Sequence, residues 1–346
     1  MQRQHFVLVL LAVVLCATGS EACSVLQFHW SGLGAHINGL WSALPALYGS
    51  NGSVYLDNTE FPYMCTEGGG WHDYFQTESG FLQPWTPALA KNESCAYYSY
   101  GKMAVASDAI GISHVQARFD PAVVRKTWRL QPTMQREVDA ALAVLDSYDK
   151  PTIAFHVRGG DKATEDEVLG RTTTKPEDLI NTFLDNYVGV RGGTCVLIGD
   201  DQAAIAEAEQ LAAQYIGCKI ARPSKYYRTK GHHQATFNSL PLHDRCRETR
   251  QLIKDMEMMA HADYFVGSST SGIPTIIATL RMTVYLKSQV TFADVSYDDM
   301  GARIRRYFGT GGFKNVTIAS LKGATIGKES IRRQSHHRSM LAPTLL

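Results

Sequence analysis

From residue 152 onward the chain keeps repeating one pattern: a short apolar, β-branched run, a turn, then a stretch with helical period. The strand candidates are TIAFHVR, CVLIG, KIARP, YFVGS and TVYLK. Between them lie the helix candidates KPEDLINTFLDNY, DQAAIAEAEQLAAQYIG, ETRQLIKDMEMMAHA and GIPTIIATLR. Strands that alternate with helices of about ten or more residues build a parallel, doubly wound sheet. Sheets of that kind bind ligands in the crevice outside the carboxyl ends of their strands. The residues that directly follow each strand are therefore the ones to read for chemistry.

The first half carries a weaker version of the pattern. CSVLQFHW reads as a strand, SGLGAHING as a glycine-containing turn opening a helix, and SVYLDN as a second strand. Residues 59–99 read as loop, rich in aromatic side chains around GGGWHDYF, and QPTMQREVDAALAVLDSYDK reads as a connecting helix. A chain of 346 residues is long enough for two cores. The expected division is a leader over 1–22, an α/β domain over 23–150, a Rossmann-like domain over 151–322, and a basic tail over 323–346 without a core pattern.

The leader places Arg3 before an apolar run, residues 6–17, followed by small residues and a cleavage point after Ala22. The run is shorter than the roughly twenty residues that a membrane span needs, so a secretory signal is expected. Left uncleaved, the same run would serve as a membrane anchor. The secretory route, to the Golgi lumen or the exterior, makes disulfides the expected state of Cys23, Cys65, Cys95, Cys195, Cys218 and Cys246, with their pairing open. Their spacing contains no CxxC, which argues against zinc. Sequons at Asn51, Asn92 and Asn315 agree with a lumenal protein. A formal charge of +1 argues against nucleic acid as the main partner.

The strand ends carry the candidate site. In TIAFHVR, period two puts His156 and Arg158 on one face, and Gly159 and Gly160 then turn the chain to present Asp161 and Lys162. Arg158 there can neutralise a diphosphate, or it can form a structural pair with an aspartate while His156 fills the core. Asp200 and Asp201 end the next strand, where they can hold a metal or a sugar hydroxyl; for Asp201, capping the following helix is the expected role. Asp255 flanks the stripe Leu252, Ile253, Met256 and Met259, and either faces a crevice or is solvated, solvation being the expectation from position alone. Ser268, Ser269, Thr270 and Ser271 lie between a strand and a helix, as a phosphate cradle or an ordinary cap.

Taken together, FHVRGGDK, VLIGDDQ, DMEMMAHADYFVGSSTSG, GLGAHINGL and GGGWHDYF resemble, in order, motifs of the α1,6-fucosyltransferase group of the fucosyltransferases that use GDP-fucose. The resemblance spans roughly residues 32–281. It implies an α/β, GT-B-like fold, two Rossmann-like domains facing a cleft, with the first on the acceptor side. It also implies inverting transfer from GDP-fucose to a glycan acceptor, with no cofactor and no required metal. Carried over, Arg158 meets the donor phosphates, His156 lines the nucleotide pocket, Asp255 recognises guanine and Ser271 contacts the diphosphate. Asp161, Ser269 and Gly34 join the donor site, and Lys162 supports the catalytic carboxylate. Counting from His156 assigns that carboxylate to Asp166; matching Thr164 assigns it to Glu165, which is placed first because glutamate is the usual residue there. Glu167 is expected to be a solvated charge.

The chain departs from the family where a second arginine falls at Gly159 and another at Thr275. Those departures support a secreted sugar-binding protein of the same fold with an impaired donor site as the alternative. Gly32, Gly34 and Asp57 suggest a third reading, a nucleotide-sugar oxidoreductase, but the third glycine of a dinucleotide fingerprint falls at Ile37.

Overall fold

The structure, a computed structural model, describes residues 23–28, 31–48, 53–77, 82–86, 95–99, 120–159, 174–223, 231–268 and 271–295. In the first half, β1 (Cys23–Gln27) leads into α1 (Leu33–Tyr48), then β2 (Ser53–Asp57), β3 (Gln83–Pro84) and β4 (Cys95–Ser99). Two helices connect the halves, α2 (Pro121–Thr127) and α3 (Pro132–Asp146). The second half runs β5 (Thr152–Val157), α4 (Pro176–Asn186), β6 (Thr194–Gly199), α5 (Gln202–Tyr215), β7 (Lys219–Ala221) and α6 (Gln234–Asn238). It ends with α7 (Leu242–His261), β8 (Tyr264–Gly267), α8 (Gly272–Thr283) and β9 (Phe292–Asp294).

Both sheets are parallel throughout, in the orders β3-β2-β1-β4 and β7-β6-β5-β8-β9. In each, the first strand of the unit lies centrally and the chain then crosses over to its other side. That is the doubly wound order, and it places a switch point beside β1 in one sheet and beside β5 in the other. The expected α/β class forms, as two parallel sheets of doubly wound order.

Strand β5 is buried along its whole length. Ile153, Phe155 and Val157 pack with Leu179, Ile180 and Phe183 of α4 and Ile205 of α5. Ala154 points the other way, into a core shared with Ile253 and Met256 of α7 and Ile276 of α8. That core continues without a break into Leu26, Ile37, Trp71 and Val124 of the first half.

The halves are also joined chemically. Cys65 of the first is bridged to Cys246 of α7, while Cys23–Cys95 ties β1 to β4 and Cys195–Cys218 ties β6 to the approach of β7. At the seam the N-termini of α1 and α8 meet backbone to backbone. A Cβ on Gly34 would stand 3.1 Å from the carbonyl carbon of Gly272, and a Cβ on Gly272 would stand 3.1 Å from that of Gly34. Asn38 Nδ2 donates to both carbonyl oxygens, at 2.8 Å and 3.1 Å.

Several sequence expectations are corrected. Residues 59–99, read as loop, contain β3 and β4, and β4 pairs with β1 in register from Cys23 to Cys95. β3 is only two residues long, and β4 pairs with β1 beside the Cys23–Cys95 bridge. TVYLK is not the last strand. Thr283 stays in α8, its hydroxyl donating to Thr279 O at 2.7 Å, and Lys287 N folds back onto Arg281 O at 2.7 Å. Leu286 lies outside the sheet at φ 52°, and the last strand forms instead at Phe292–Asp294. Ile37 is a core residue of α1, which removes the third glycine position of a dinucleotide loop, and Asp57 Oδ1 is occupied by Thr59 N and Oγ1 at 3.0 Å and 2.6 Å.

The seam makes a testable demand. Replacing glycine by alanine ordinarily favours a helix by about 0.5–1 kcal/mol. Here Gly272→Ala or Gly34→Ala must push two backbones apart, and each should destabilise by about 1–3 kcal/mol in chemical denaturation. A stabilised variant would show that the helices can separate freely.

Candidate functional site

The carboxyl ends of β5 and β8 lie side by side at the switch point of the second sheet. Arg158 follows β5, Ser268 follows β8, and Ser271 opens α8. Ser271 is buried and has extended backbone, φ −102° and ψ 142°, at the N-cap position, yet its side chain makes no capping hydrogen bond. The N-terminal N–H groups of α8 and the positive end of its dipole remain directed at this edge, the arrangement that suits an anion.

Arg158 is held by Asp200, an ion pair between two partly buried side chains. The sequence allowed Arg158 a structural pair with an aspartate without naming it, and the partner is Asp200. The register explains it: Val157 pairs with Gly199, so Arg158 and Asp200 are the next residues on adjacent parallel strands. Asp200 Oδ1 also accepts from Gly159 N at 2.7 Å. Asp201 takes the capping role expected of it, accepting from Ala203 N and Ala204 N at 2.9 Å and 3.1 Å. Its Cβ would stand 2.8 Å from a Cβ on Gly159, so the glycine that departs from the family pattern is required by the neighbouring cap.

His156 lies on the Ala154 face, toward α7 and α8. Burial, with the Arg158 charge beside it, pulls its pKa down to about 3, so the ring is neutral at physiological pH. Its Nδ1 is buried without a hydrogen-bond partner. Such an orphaned polar atom in a native site is explained when a ligand completes it.

Asp255 corrects the expectation of solvation: it is 8% exposed. From Ile253 to Ala260 every apolar residue of α7 is buried because α3, α8 and β5 pack around that helix, so a position flanking the stripe is covered as well. Burial pushes the Asp255 carboxyl up to about 7, against a hydrogen bond from Gln251 Nε2 at 2.8 Å and the Lys254 charge. A carboxyl poised near neutrality in a buried position is a frequent mark of a functional site.

Gly34 reaches the edge through the seam, where it touches Gly272 at the start of α8. The glycine–tryptophan segment is structural. Asp73 accepts from Cys65 N and Gly70 N at 2.7 Å and 2.8 Å, Gly70 takes φ 122°, and Trp71 stacks on Phe75 with centroids 4.1 Å apart. Lys162, Asp161, Glu165, Asp166, Glu167 and Ser269 lie outside the described residues. Thr275, where an arginine was looked for, is a buried residue of α8 whose carbonyl accepts from Thr279 Oγ1 at 2.9 Å. Among the described residues no group of three or more His, Cys, Asp and Glu side chains is placed to share a metal ion, and no helix is long and apolar enough to cross a membrane.

No protein-family model matches the chain, and no curated protein matches it in sequence. Solved structures do resemble it. Fucosyltransferase NodZ from Bradyrhizobium aligns with a TM-score of 0.47 and 10% identity over 73% of this chain and 90% of that one. A mutant of Arabidopsis thaliana FUT1 in complex with GDP aligns with a TM-score of 0.47 and 9% identity, over 75% of this chain and 68% of that one. POFUT1 in complex with GDP gives a TM-score of 0.43 and 12% identity, over 80% and 99%.

Asp255 sets a pH dependence on stability. Its folded pKa is raised, so its contribution is fully present below the unfolded value of 3.8 and is lost as pH rises through about 7. Across that interval unfolding releases a proton, which favours the unfolded chain. Asp255→Asn should therefore gain stability relative to the parent as pH rises from about 4 to about 7, by up to a few kcal/mol. Parallel denaturation curves for the two proteins across that range would refute the buried titration.

Proposed function

We propose that the protein transfers fucose from GDP-fucose to a hydroxyl of a glycan, with inversion and without a metal ion. The observation that carries the reading is the pairing, at a doubly wound switch point, of an arginine fixed by Asp200 with the N-terminus of α8. Parallel sheets of this order bind phosphate-bearing ligands there. The specific donor rests on the five motifs found in order along the sequence.

In this reading the bond between fucose C1 and the diphosphate oxygen breaks, and charge grows on the departing GDP. Arg158 and the α8 N-terminus, with Ser271 and Ser269, offset that charge as it develops. Neutral His156 lines the nucleotide pocket, and Asp255 accepts the ring and amino N–H groups of guanine, for which it must be ionised. The acceptor hydroxyl attacks from the opposite face and gives its proton to Glu165 or, failing that, Asp166. Lys162 supports that carboxylate and Asp161 joins the donor contacts. The place of action is the lumen of the secretory pathway, supported by the three disulfides. The acceptor glycan and its linkage are left to experiment.

Calorimetry should give tighter binding for GDP than for UDP or NAD, unchanged by EDTA; preference for UDP, or a strict need for Mn²⁺, would overturn the donor assignment. Because guanine needs Asp255 ionised, GDP affinity should strengthen from about pH 6 to about pH 8, and the gain should vanish in Asp255→Asn.

Turnover tests the rest. Arg158→Ala should lose about 2–4 kcal/mol of transition-state stabilisation, with Arg158→Lys a partial rescue, since an ammonium lacks the planar fork. Among Glu165→Gln, Asp166→Asn and Glu167→Gln, the variant lacking the true base should lose about 10²–10⁴ in transfer rate while keeping its GDP affinity. Normal transfer in all three would place the base elsewhere. Folded protein that binds GDP and releases none from GDP-fucose would favour the sugar-binding alternative.

A further inference from the structure

A chain of polar contacts starts at Arg158 and ends in the other half of the molecule. Asp200, which pairs with Arg158 through Oδ2, receives a second backbone donor on that oxygen, His232 N at 3.2 Å. The His232 ring lies with Nε2 3.1 Å from Gln234 Oε1, a hydrogen bond in which the ring N–H donates. The same Gln234 oxygen accepts from the Tyr63 hydroxyl at 2.8 Å, across the seam, while Gln234 Nε2 donates to Asn238 Oδ1 of α6 at 2.7 Å. Gly32 packs against the same oxygen, which a Cβ at that position would approach to 3.5 Å.

The far end of the chain is rigid. Tyr63 is 2% exposed and stacks on Phe237, with centroids 4.7 Å apart and planes at 28°. Two residues further on, Cys65 is bridged to Cys246 of α7. The near end is a long, flexible arginine whose direction is set by the carboxylate it grips. That carboxylate is oriented by Gly159 N on one oxygen and by His232 N on the other. His232 follows Gly231, which has φ 78°, and lies ahead of the single helical turn Gln234–Asn238, so its own backbone is outside regular structure.

We propose that Gln234 is a positioning residue. By accepting from Tyr63 and from His232 with one oxygen, it fixes the 231–238 segment against the opposite half. It thereby holds the His232 N–H on Asp200 and, through Asp200, aims the Arg158 guanidinium at the phosphate-binding edge. The first half of the molecule thus takes part in holding the donor through a strut that does not touch it. This rests on the reading of Arg158 as the phosphate-binding group.

The test is a mutant cycle read by calorimetry with two probes, GDP and inorganic pyrophosphate, on the full chain. Tyr63→Phe and Gln234→Leu should each weaken binding of both probes by about tenfold in the parent protein, the worth of one hydrogen bond feeding a charged pair. In an Arg158→Ala background the same changes should cost less than about twofold, because a residue that acts through Arg158 has nothing left to position. A merely structural role predicts equal losses in both backgrounds alongside a lowered melting temperature, and that result, or unchanged affinity in Tyr63→Phe, overturns the proposal. Tyr63→Phe keeps the ring and its stacking, so it serves where Gln234→Leu fails to fold. A parent protein that binds pyrophosphate but does not prefer GDP sinks the donor reading and leaves the cycle readable on pyrophosphate. Folded parent protein that binds neither probe overturns both.

Discussion

The close approach of Gly34 to Gly272 is the constraint on which the site depends. Two helix N-termini, one from each half, can meet backbone to backbone because neither residue carries a side chain. Asn38 seals the contact by donating to both carbonyl oxygens, so the approach costs no unsatisfied polar group. The consequence is electrostatic as well as steric. Two helix dipoles turn their positive ends toward the seam, and one of them, α8, begins after the strand beside that of Arg158. The bridge from Cys65 to Cys246 and the continuous apolar core hold the halves in this relation, so the edge is prepared before any ligand arrives.

Behind that edge, buried charges brace the elements that carry the site residues. Arg281 of α8 is 1% exposed, and its terminal nitrogens donate to the carbonyls of Met259, Ala260, Ala262, Asp263 and Thr291 and to the Thr291 hydroxyl. The first four are carbonyls at the end of α7 and the entry to β8, and Thr291 directly precedes β9, so one guanidinium caps a helix and ties it to two strands. Burial draws its pKa down to about 10, which still leaves it charged at neutral pH. Glu257, on the same helix, is buried with hydrogen bonds from the Trp128 ring nitrogen and the Tyr285 hydroxyl, and burial raises its pKa. With α7 pinned at both points, Asp255, two residues before Glu257, has little freedom to turn outward.

The second half was legible because its physics is local. A parallel strand buried on both faces reads as a largely apolar run, and TIAFHV and TCVLIG do apart from Thr152, His156 and Thr194. Proline at the first turn of α4 and Asp201 at the cap of α5 mark the helix starts. The placement of His156 and Arg158 on one face followed from period two alone. What the sequence could not announce was anything needing a partner from afar. TVYLK has good strand residues, yet its first, Thr283, stays in a helix that carries Arg281. In the first half β4 is recognisable only through the strand it pairs with. Asp255 looked solvated because burial of a flanking position depends on which helices arrive beside it.

The sequence by itself determined the alternation of strand and helix, the doubly wound class of the second half, and the set of residues that follow its strands. Periodicity and turn chemistry are properties of neighbours along the chain, so they can be read there. Only the tertiary structure decided that Arg158 belongs to Asp200, that Cys65 belongs to Cys246 and that Gly34 lies against Gly272. It also decided that Tyr63 reaches Gln234 across the seam. Each of these joins residues that no local rule relates, and each is settled by the packing of two sheets around one core.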